Sequence, residues 1–351
     1  MGVERFSFLL LFISAISASP LFLGSSPNPN CPAYTCKTSS QQFVNSTCIY
    51  FTPTASTPTY YVSPCSSVKL PYCLPSTNNN STCQAATPTP PVNAWPGEKC
   101  SSSSDCSSHA SRGCINNVCV GGSQGDTCSV NDDCNPNYRC LGGICQAQIP
   151  VGGTGCVNDY DCVNGAGCNI AKTSSESICY PYFSINQHLP VSSCSSNNLS
   201  MLCNSGLCMA NNEGYECMAP VKSSRLPMSC QVDGDCMSTR DDYFPTGYLT
   251  GTCYCGYNAN SASYCSIFAG DKPYLEYINY FKNWLQSTYI KKCNTMRRFT
   301  ASCMKDWWTT KEYNLYMYYS LNADYYPLTV SGESCVQQVY LPQWWAARNA
   351  V

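Results

Sequence analysis

Between Cys100 and Cys168 the chain repeats one cysteine pattern three times at a spacing of 28 residues. Each copy opens with two cysteines that enclose five residues, and the first two copies close with two that enclose four. A fixed period of this kind is typical of a tandem array of small structural units. The twelve cysteines of the array are Cys100, Cys106, Cys114, Cys119, Cys128, Cys134, Cys140, Cys145, Cys156, Cys162, Cys168 and Cys179.

Two further residue types recur with the cysteines. An Asp precedes the second cysteine of each copy, and a Gly lies three residues before the first: Asp105, Asp133, Asp161, Gly97, Gly125 and Gly153. Short polar side chains at such places accept hydrogen bonds from turn N–H groups, which is the favoured interpretation of the Asp. Calcium binding is the alternative, although no Asp pair is followed by the glycine and glutamate of an EF-hand.

The cysteine content indicates an oxidising compartment. Thirty of the 351 residues are cysteine, an even number, and none lies in the first 30 residues. Such a content in a secreted chain is typical of a disulfide scaffold. Charged residues are 11% of the chain and the net charge is −2, so we expect neither nucleic acid nor an anionic membrane as partner.

The N-terminus has the pattern of a secretory signal peptide. Arg5 precedes an apolar run over residues 6–16, and small residues follow at 17–19, which predicts cleavage near Ser17 or Ala18. A membrane anchor is the alternative, but the run is shorter than the roughly 20 residues of a span. We therefore expect a secreted or extracellular-surface protein without a transmembrane segment.

Four Asn-x-Ser/Thr sequons accompany this secretory pattern: Asn45, Asn79, Asn80 and Asn198. Each is a predicted N-glycosylation acceptor, and the overlap of Asn79 with Asn80 predicts that one of the two is used.

The composition divides the chain into six segments. These are a signal peptide (1–18), a Ser/Thr/Pro-rich cysteine segment (19–84), a Pro-rich linker (85–97), three four-cysteine repeats (98–188), a degenerate repeat (189–229) and a helical C-terminal domain rich in cysteine and aromatic residues (230–351). Cysteine groups over 31–83, 100–179, 194–217 and 230–335 each hold an even number, which predicts modules that are bridged internally.

Only the C-terminal domain carries helical periodicity. Asp271 and Pro273 predict a helix start, and a second helix is expected over 296–307. Thr309 and Glu312 form a predicted capping box for a third helix. The first helix has one face made of Tyr274, Tyr277, Ile278, Phe281, Trp284, Leu285 and Thr288. We expect disulfides of Cys293, Cys303 and Cys335 to hold the helical bundle together.

The fold prediction is a small disulfide-rich protein: tandem β-hairpin and loop cysteine repeats followed by a small α-helical domain. A repeat of 28 residues cannot bury enough apolar surface to offset its ordering entropy. Two bridges in each unit, at about 2–4 kcal/mol each, reduce the deficit, and stacking on neighbouring units supplies the rest.

Residues with catalytic or metal-binding patterns are few. The sequence over 121–125 matches G-x-S-x-G, but it lies in a linker between repeats rather than on a strand-to-helix turn. His109 lies in a Ser-rich loop. The sequence has no Cys-x-x-Cys pair, the spacing typical of zinc ligands. We therefore expect no enzymatic activity, no catalytic residue, no metal and no cofactor.

Two further features of the sequence are candidate binding sites. A basic cluster of Lys291, Lys292, Arg297, Arg298 and Lys305 is interpreted as a solvated face, with an anionic glycan contact as the alternative. The pair at 344–345, Trp-Trp, lies in a tail without periodicity and is a candidate for exposed aromatic contacts with protein or sugar.

The cysteine spacing, with Asp before the second cysteine, resembles the Dickkopf N-terminal type of cysteine-rich repeat and the EB-type modules of invertebrate extracellular proteins. With Cys253-Tyr-Cys255 and the aromatic helical tail, the chain resembles secreted cysteine-rich proteins that are numerous in ciliates. The resemblance implies an extracellular binding module with no active site. It does not imply Wnt antagonism, because the second, colipase-like domain of that family has no counterpart here.

The sequence therefore predicts a secreted structural or adhesion protein, a component of a surface coat, matrix or filament. Its predicted partners are an extracellular protein or glycan, including further copies of itself. A soluble ligand or protease-inhibitor-like binding module is the alternative.

Overall fold

The computed structural model describes residues 31–37, 43–52, 58–65, 72–75, 80–85, 93–170, 176–195, 200–212, 214–219, 229–239, 248–268 and 270–350. The predicted signal peptide, Asn79, Asn198 and most of the Pro-rich linker lie outside these ranges.

Short strands make up most of the described chain. They are β1 (Ala33–Cys36), β2 (Thr47–Thr52), β3 (Thr59–Val62), β4 (Tyr72–Pro75), β5 (Ser81–Gln84), β6 (Cys114–Ile115), β7 (Val118–Cys119), β8 (Tyr138–Leu141), β9 (Ile144–Ala147), β10 (Ala166–Ile170), β11 (Ser177–Pro181), β12 (Pro190–Val191), β13 (Cys208–Asn211), β14 (Gly214–Cys217), β15 (Met237–Thr239), β16 (Tyr248–Thr250), β17 (Cys253–Cys255) and β18 (Ser263–Cys265).

Helices follow the strands. They are α1 (Lys272–Gln286), α2 (Ala301–Trp307), α3 (Thr310–Asp324), α4 (Tyr326–Ser331), α5 (Ser334–Tyr340) and α6 (Pro342–Ala350). The predicted class, a small disulfide-rich fold of hairpins with a helical C-terminal region, is confirmed.

The helix-start signals are borne out, and one helix is shorter than predicted. The Thr309 hydroxyl accepts from the Glu312 N–H at 3.2 Å, and the Glu312 carboxylate accepts from the Thr309 N–H at 3.3 Å. The predicted second helix is wrong over 296–300, because only Ala301–Trp307 is helical. Before it the chain turns, and the Asn294 side chain accepts from the Met296 N–H at 2.9 Å.

The fold divides into two compact units, each built from separated stretches of the chain. Unit 1 contains the described residues of Pro90–Pro220 and Ile278–Tyr313. Unit 2 contains those of Ile13–Thr89, Val221–Tyr277 and Asn314–Val351.

Unit 1 contains four cysteine repeats, which we number 1 (100–119), 2 (128–145), 3 (156–179) and 4 (194–217). Each one has a two-stranded hairpin, from β6–β7 to β13–β14, and β12 adds a third strand to the last. The segment over 278–313 supplies large buried side chains, among them Trp284 and Ile290. Each repeat is too small to form a hydrophobic core by itself, so the repeats share the core that the side chains of this segment supply.

Unit 2 is centred on a five-stranded sheet in the order β1-β3-β2-β5-β4. Strand β1 pairs in parallel with β3, and the other pairings are antiparallel. One face of the sheet packs against α4, α5 and α6 in a single apolar cluster, whose buried members are Tyr34, Ile49, Val62, Leu328, Cys335, Val336, Leu341 and Trp344. A fifth repeat (230–265) carries β15–β16 and β17–β18.

The prediction that each cysteine group is bridged internally is wrong for the first and last groups. Cys31 pairs with Cys255, and Cys36 pairs with Cys335. Cys335 therefore fastens α5 to strand β1, whereas Cys293 and Cys303 bridge each other. Each of the two groups has an even number of cysteines because two disulfides join one group to the other.

Candidate interaction surface

In every repeat the cysteines are joined first to third and second to fourth. The bridges of the predicted array are Cys100–Cys114, Cys106–Cys119, Cys128–Cys140, Cys134–Cys145, Cys156–Cys168 and Cys162–Cys179. Repeat 4 and the cysteines at 48, 65, 73 and 83 use the same order. Repeat 5 uses it too for four of its five cysteines, since Cys255 is bridged to Cys31 instead. Of the four cysteines bridged within each set, the last two lie opposite each other on paired strands.

All thirty cysteines are consumed by the fifteen bridges. Five clusters of three cysteine sulfurs have the proximity of metal ligands, including the one formed by Cys100, Cys106 and Cys114. Their sulfurs are in disulfides, and zinc requires thiolates. These clusters are therefore crossed bridges and not ligand sets.

The Asp before the second cysteine is a turn acceptor, as predicted. In repeat 1 a carboxylate oxygen of Asp105 accepts from the N–H groups of Ser101 and Ser102 at 2.8 and 2.9 Å. These backbone N–H groups hold the pKa of Asp105 below its usual value, because they favour the charged form. The corresponding pairs of bonds are made by Asp133, Asp161 and Asp235.

A second acceptor of the repeat was missed by the sequence reasoning. The residue three positions after the first cysteine accepts from the N–H of the third cysteine and so joins the loop to the hairpin. The four acceptors are Ser103 (3.1 Å), Asn131 (2.8 Å), Asp159 (2.8 Å) and Asp233 (2.7 Å). The signal was present as a short polar residue at this position of each copy.

The recurrent Gly before each repeat is a left-handed residue that donates to the carbonyl of the fourth cysteine. Gly97 has φ 94° and Gly125 has φ 88°, and their N–H groups bond to the carbonyls of Cys119 and Cys145 at 2.8 and 2.9 Å. In repeat 3 the glycine in this role lies one residue earlier than the recurrent position 153. Gly152, at φ 80°, makes the equivalent bond.

The G-x-S-x-G sequence forms a turn. It follows β7 and precedes a 3₁₀ turn at Asn131–Asp133, whereas a nucleophile elbow joins a strand to an α-helix. The Ser123 N–H donates to Asp126 at 2.6 Å, and its hydroxyl accepts from the Asn135 amide at 3.3 Å. His109 is exposed on its loop.

The basic cluster is not one solvated face. Arg298 is fully buried, and its guanidinium donates to the Tyr182 hydroxyl at 2.6 Å and to the Asp159 carbonyl at 3.0 Å. Arg297 lies 3.9 Å from the centroid of the Trp95 ring and contacts Asp132 at 3.3 Å. Both arginines bind the repeats of unit 1, whereas Lys291 and Lys292 are exposed.

The tryptophan pair at 344–345 is not an exposed tail. It lies on α6, and Trp344 is 2% exposed and stacks on Tyr318 with centroids 5.7 Å apart. Trp345 is half-buried, and the Arg348 guanidinium lies 5.5 Å from its ring. Pro342 starts a helix whose apolar side packs on the sheet cluster of unit 2, so Trp344 is a core residue and Trp345 is partly covered.

Aliphatic side chains at hairpin tips contribute to the exposed apolar surface of repeats 1 and 2, together with Val130 on the loop of repeat 2. Ile115 follows the third cysteine of repeat 1 and is 57% exposed. In repeat 2, Leu141 and Ile144 flank the Gly142-Gly143 turn and are 44% and 40% exposed. We call Ile115, Leu141 and Ile144 the tip residues.

Two of the four predicted glycosylation acceptors lie in the described part of the chain. Asn45 is exposed in a turn before β2, and Asn80 is half-buried at the start of β5. Of these two predicted acceptors, Asn45 is therefore accessible to solvent and Asn80 is partly covered.

Compared with models of known protein families, with curated proteins and with solved structures, the chain has no match. The resemblance to Dickkopf-type repeats stays a prediction. No helix within the described ranges is long and apolar enough to cross a bilayer. Fifteen disulfides and no free thiol are what an extracellular protein carries, since reducing compartments keep thiols unpaired.

Proposed function

We propose that this protein is a secreted structural or adhesion component of a surface coat, matrix or filament, and that it acts through protein–protein contacts at the tip residues. The observation that carries the proposal is the exposure of aliphatic side chains beside the third or fourth cysteine of two successive repeats. A partner with an apolar surface would remove these side chains from water, at roughly 25 cal/mol for each Å² buried.

The crossed disulfides support contact at these tips. Each tip residue lies next to a bridged cysteine, on a hairpin whose loop is also held by the Asp and the second acceptor described above. Little conformational freedom remains for a partner to remove, so the ordering cost of association is small. A protein built from such units binds with a rigid surface.

The test is the triple substitution I115S/L141S/I144S in the mature protein secreted from a eukaryotic host. We expect the unmodified protein to self-associate or to bind its source cells, and the triple variant to bind at least tenfold more weakly, since about 1.4 kcal/mol is a factor of ten. Sedimentation velocity over a range of concentrations and a cell-binding assay measure the two.

The matched control is L189S, which removes an aliphatic side chain 49% exposed on a turn of unit 1. Retained association in L189S and loss in the triple variant would support the tips as the contact. Immunogold labelling of source cells tests whether the protein stays at the cell surface. Absence of label from the cell surface, with monomer in the medium, would favour a diffusible ligand or inhibitor-like module.

A further inference from the structure

The turn before β2 presents an asparagine in an unusual backbone conformation. The Ser46 N–H donates to the Phe43 carbonyl at 3.1 Å, which closes a four-residue turn. Asn45 is its third residue and has φ 64°. Asn adopts this left-handed region more readily than other residues with a side chain, so the turn itself explains an Asn here.

The side-chain amide of Asn45 accepts a hydrogen bond through its oxygen. Gln84 donates from Nε2 to Asn45 Oδ1 at 2.9 Å and to the Thr82 hydroxyl at 2.7 Å, which fixes the Gln84 side chain. The Asn45 N–H donates to the Cys83 carbonyl at 2.9 Å. Within the described residues, no hydrogen bond uses Asn45 Nδ2, the atom to which an N-linked sugar is attached.

An exposed aromatic ring stands two residues before this amide. Phe43 is 76% exposed, the largest value for a large apolar side chain among the described residues, and Val44 is 59% exposed. Other described aromatic side chains of unit 2 are less exposed, and some pack together, as Tyr34 does on Tyr60. The phenyl ring is therefore open to a sugar attached two residues away, and the C–H face of a pyranose ring is chemically suited to an aromatic face.

We propose that Asn45 carries an N-linked glycan whose first N-acetylglucosamine packs against the Phe43 ring. The acceptor sequence Asn45-Ser46-Thr47 is complete. The sugar would act as a covalent ligand of the turn: it covers the ring and stabilises the left-handed conformation that presents it. The inference presupposes secretion and is independent of whether the protein is structural or a diffusible ligand.

The attachment chemistry balances with an oligosaccharide carried on a lipid diphosphate as the donor. The Asn45 amide nitrogen forms a bond to C1 of the sugar, and the bond from C1 to the diphosphate oxygen breaks. The lipid diphosphate leaves with the electron pair, and one amide proton passes to a base. No group is oxidised or reduced.

Asn80 provides the comparison within the same sheet. It is half-buried, and Ser81 of its sequon is 6% exposed within β5. The residue two positions before it is Asn78, so its sequon lacks the preceding aromatic residue that Asn45 has. We expect a sugar at Asn80, if attached, to add no stability.

Glycopeptide mass spectrometry of the protein secreted from insect cells tests occupancy first. We expect the peptide that contains Asn45 to carry hexosamine, and the peptide from T47V to be unmodified. T47V removes the sequon at an exposed strand position and leaves the turn residues intact. An unmodified Asn45 in the secreted wild-type protein would overturn the proposal.

A double-mutant cycle tests the contact with Phe43. F43S should lower the Tm of the glycosylated protein by about 1–2 °C, the shift for roughly 1 kcal/mol in a chain of 351 residues. It should leave the Tm of T47V unchanged, and N80Q should behave as the wild type. Equal effects of F43S on the glycosylated and unglycosylated proteins would show that the sugar does not use the ring.

Discussion

At the scale of single residues, buried polar side chains hold the segment over 288–300 to the repeats of unit 1. Asn164, 1% exposed, donates to the carbonyls of Ile290 and Cys293 at 2.8 and 2.7 Å. Gln148 donates to the Cys162 carbonyl and to the Thr295 hydroxyl, both at 2.8 Å. The backbone of a disulfide loop cannot complete a sheet, so its buried carbonyls require side-chain donors.

Glycines at equivalent places in the repeats differ in how tightly they are enclosed. A Cβ on Gly97 would clash with the Lys292 carbonyl oxygen, whereas a Cβ on Gly125 would have no atom within 4 Å. Both have positive φ. The substitution G125A should cost only the left-handed strain, about 1–2 kcal/mol, and G97A should cost that strain plus about 1–3 kcal/mol of overpacking.

Denaturant unfolding with the disulfides intact measures both variants. G97A should have the lower midpoint. Equal midpoints would mean that the Lys292 carbonyl moves away at little cost and that the contact does not restrain the repeat.

At the scale of elements, the helices with local start signals were predictable and the turns between them were not. The Thr309–Glu312 capping box and the apolar face of α1 are readable from a few neighbouring residues, and Tyr277, Phe281 and Trp284 are indeed buried. The 294–300 stretch has apolar spacing suited to a helix. It turns instead while Asn294 and Arg298 bond to backbone carbonyls of repeats 2 and 3, which were distant in sequence.

Asn294 gives a prediction for this element. Its amide donates to the carbonyls of Asn131, Asp132 and Cys134 at 3.2, 3.3 and 2.8 Å. N294A should leave the carbonyls of Asp132 and Cys134 without this donor, while the Asn131 carbonyl keeps the Cys134 N–H, and should lower the free energy of unfolding by about 2–4 kcal/mol. K291A, at an exposed side chain in the same segment, should change it by less than about 0.5 kcal/mol.

Hydrogen exchange locates the effect. Amides over 128–145 should exchange faster in N294A than in the wild type, because repeat 2 loses its attachment to the segment. Unchanged exchange in repeat 2 would show that the disulfides alone maintain its structure.

At the scale of the whole molecule, the disulfides fall into two classes that restrain different parts of the fold. The bridges of the repeats close short loops, such as Cys128–Cys140 at a separation of 12 residues. In unit 2, Cys31–Cys255 and Cys36–Cys335 join chain positions 224 and 299 residues apart. The short bridges restrain one repeat, and the long ones fasten the N-terminal sheet of unit 2 to its C-terminal part.

Removing one bridge of each class separates these roles. With Cys31–Cys255 intact, Cys36–Cys335 closes a ring of about 85 residues, for which chain entropy predicts about 4–5 kcal/mol, against about 3 kcal/mol for Cys128–Cys140. C36A/C335A should therefore lower the unfolding midpoint more than C128A/C140A, as measured by denaturant titration. The reverse order would mean that local packing in the repeat outweighs loop entropy.

The sequence by itself determined the features that act within about thirty residues. The repeat period, the paired cysteines, the Asp acceptors and the helix caps depend on groups that are neighbours along the chain, so spacing and residue type specify them. Tertiary structure decided the bridge order within each repeat, the partners of Cys31 and Cys36, and the burial of Arg298 and Trp344. Each of these depends on which distant segment lies opposite, and local hydrogen bonding and hydrophobic periodicity carry no information about that.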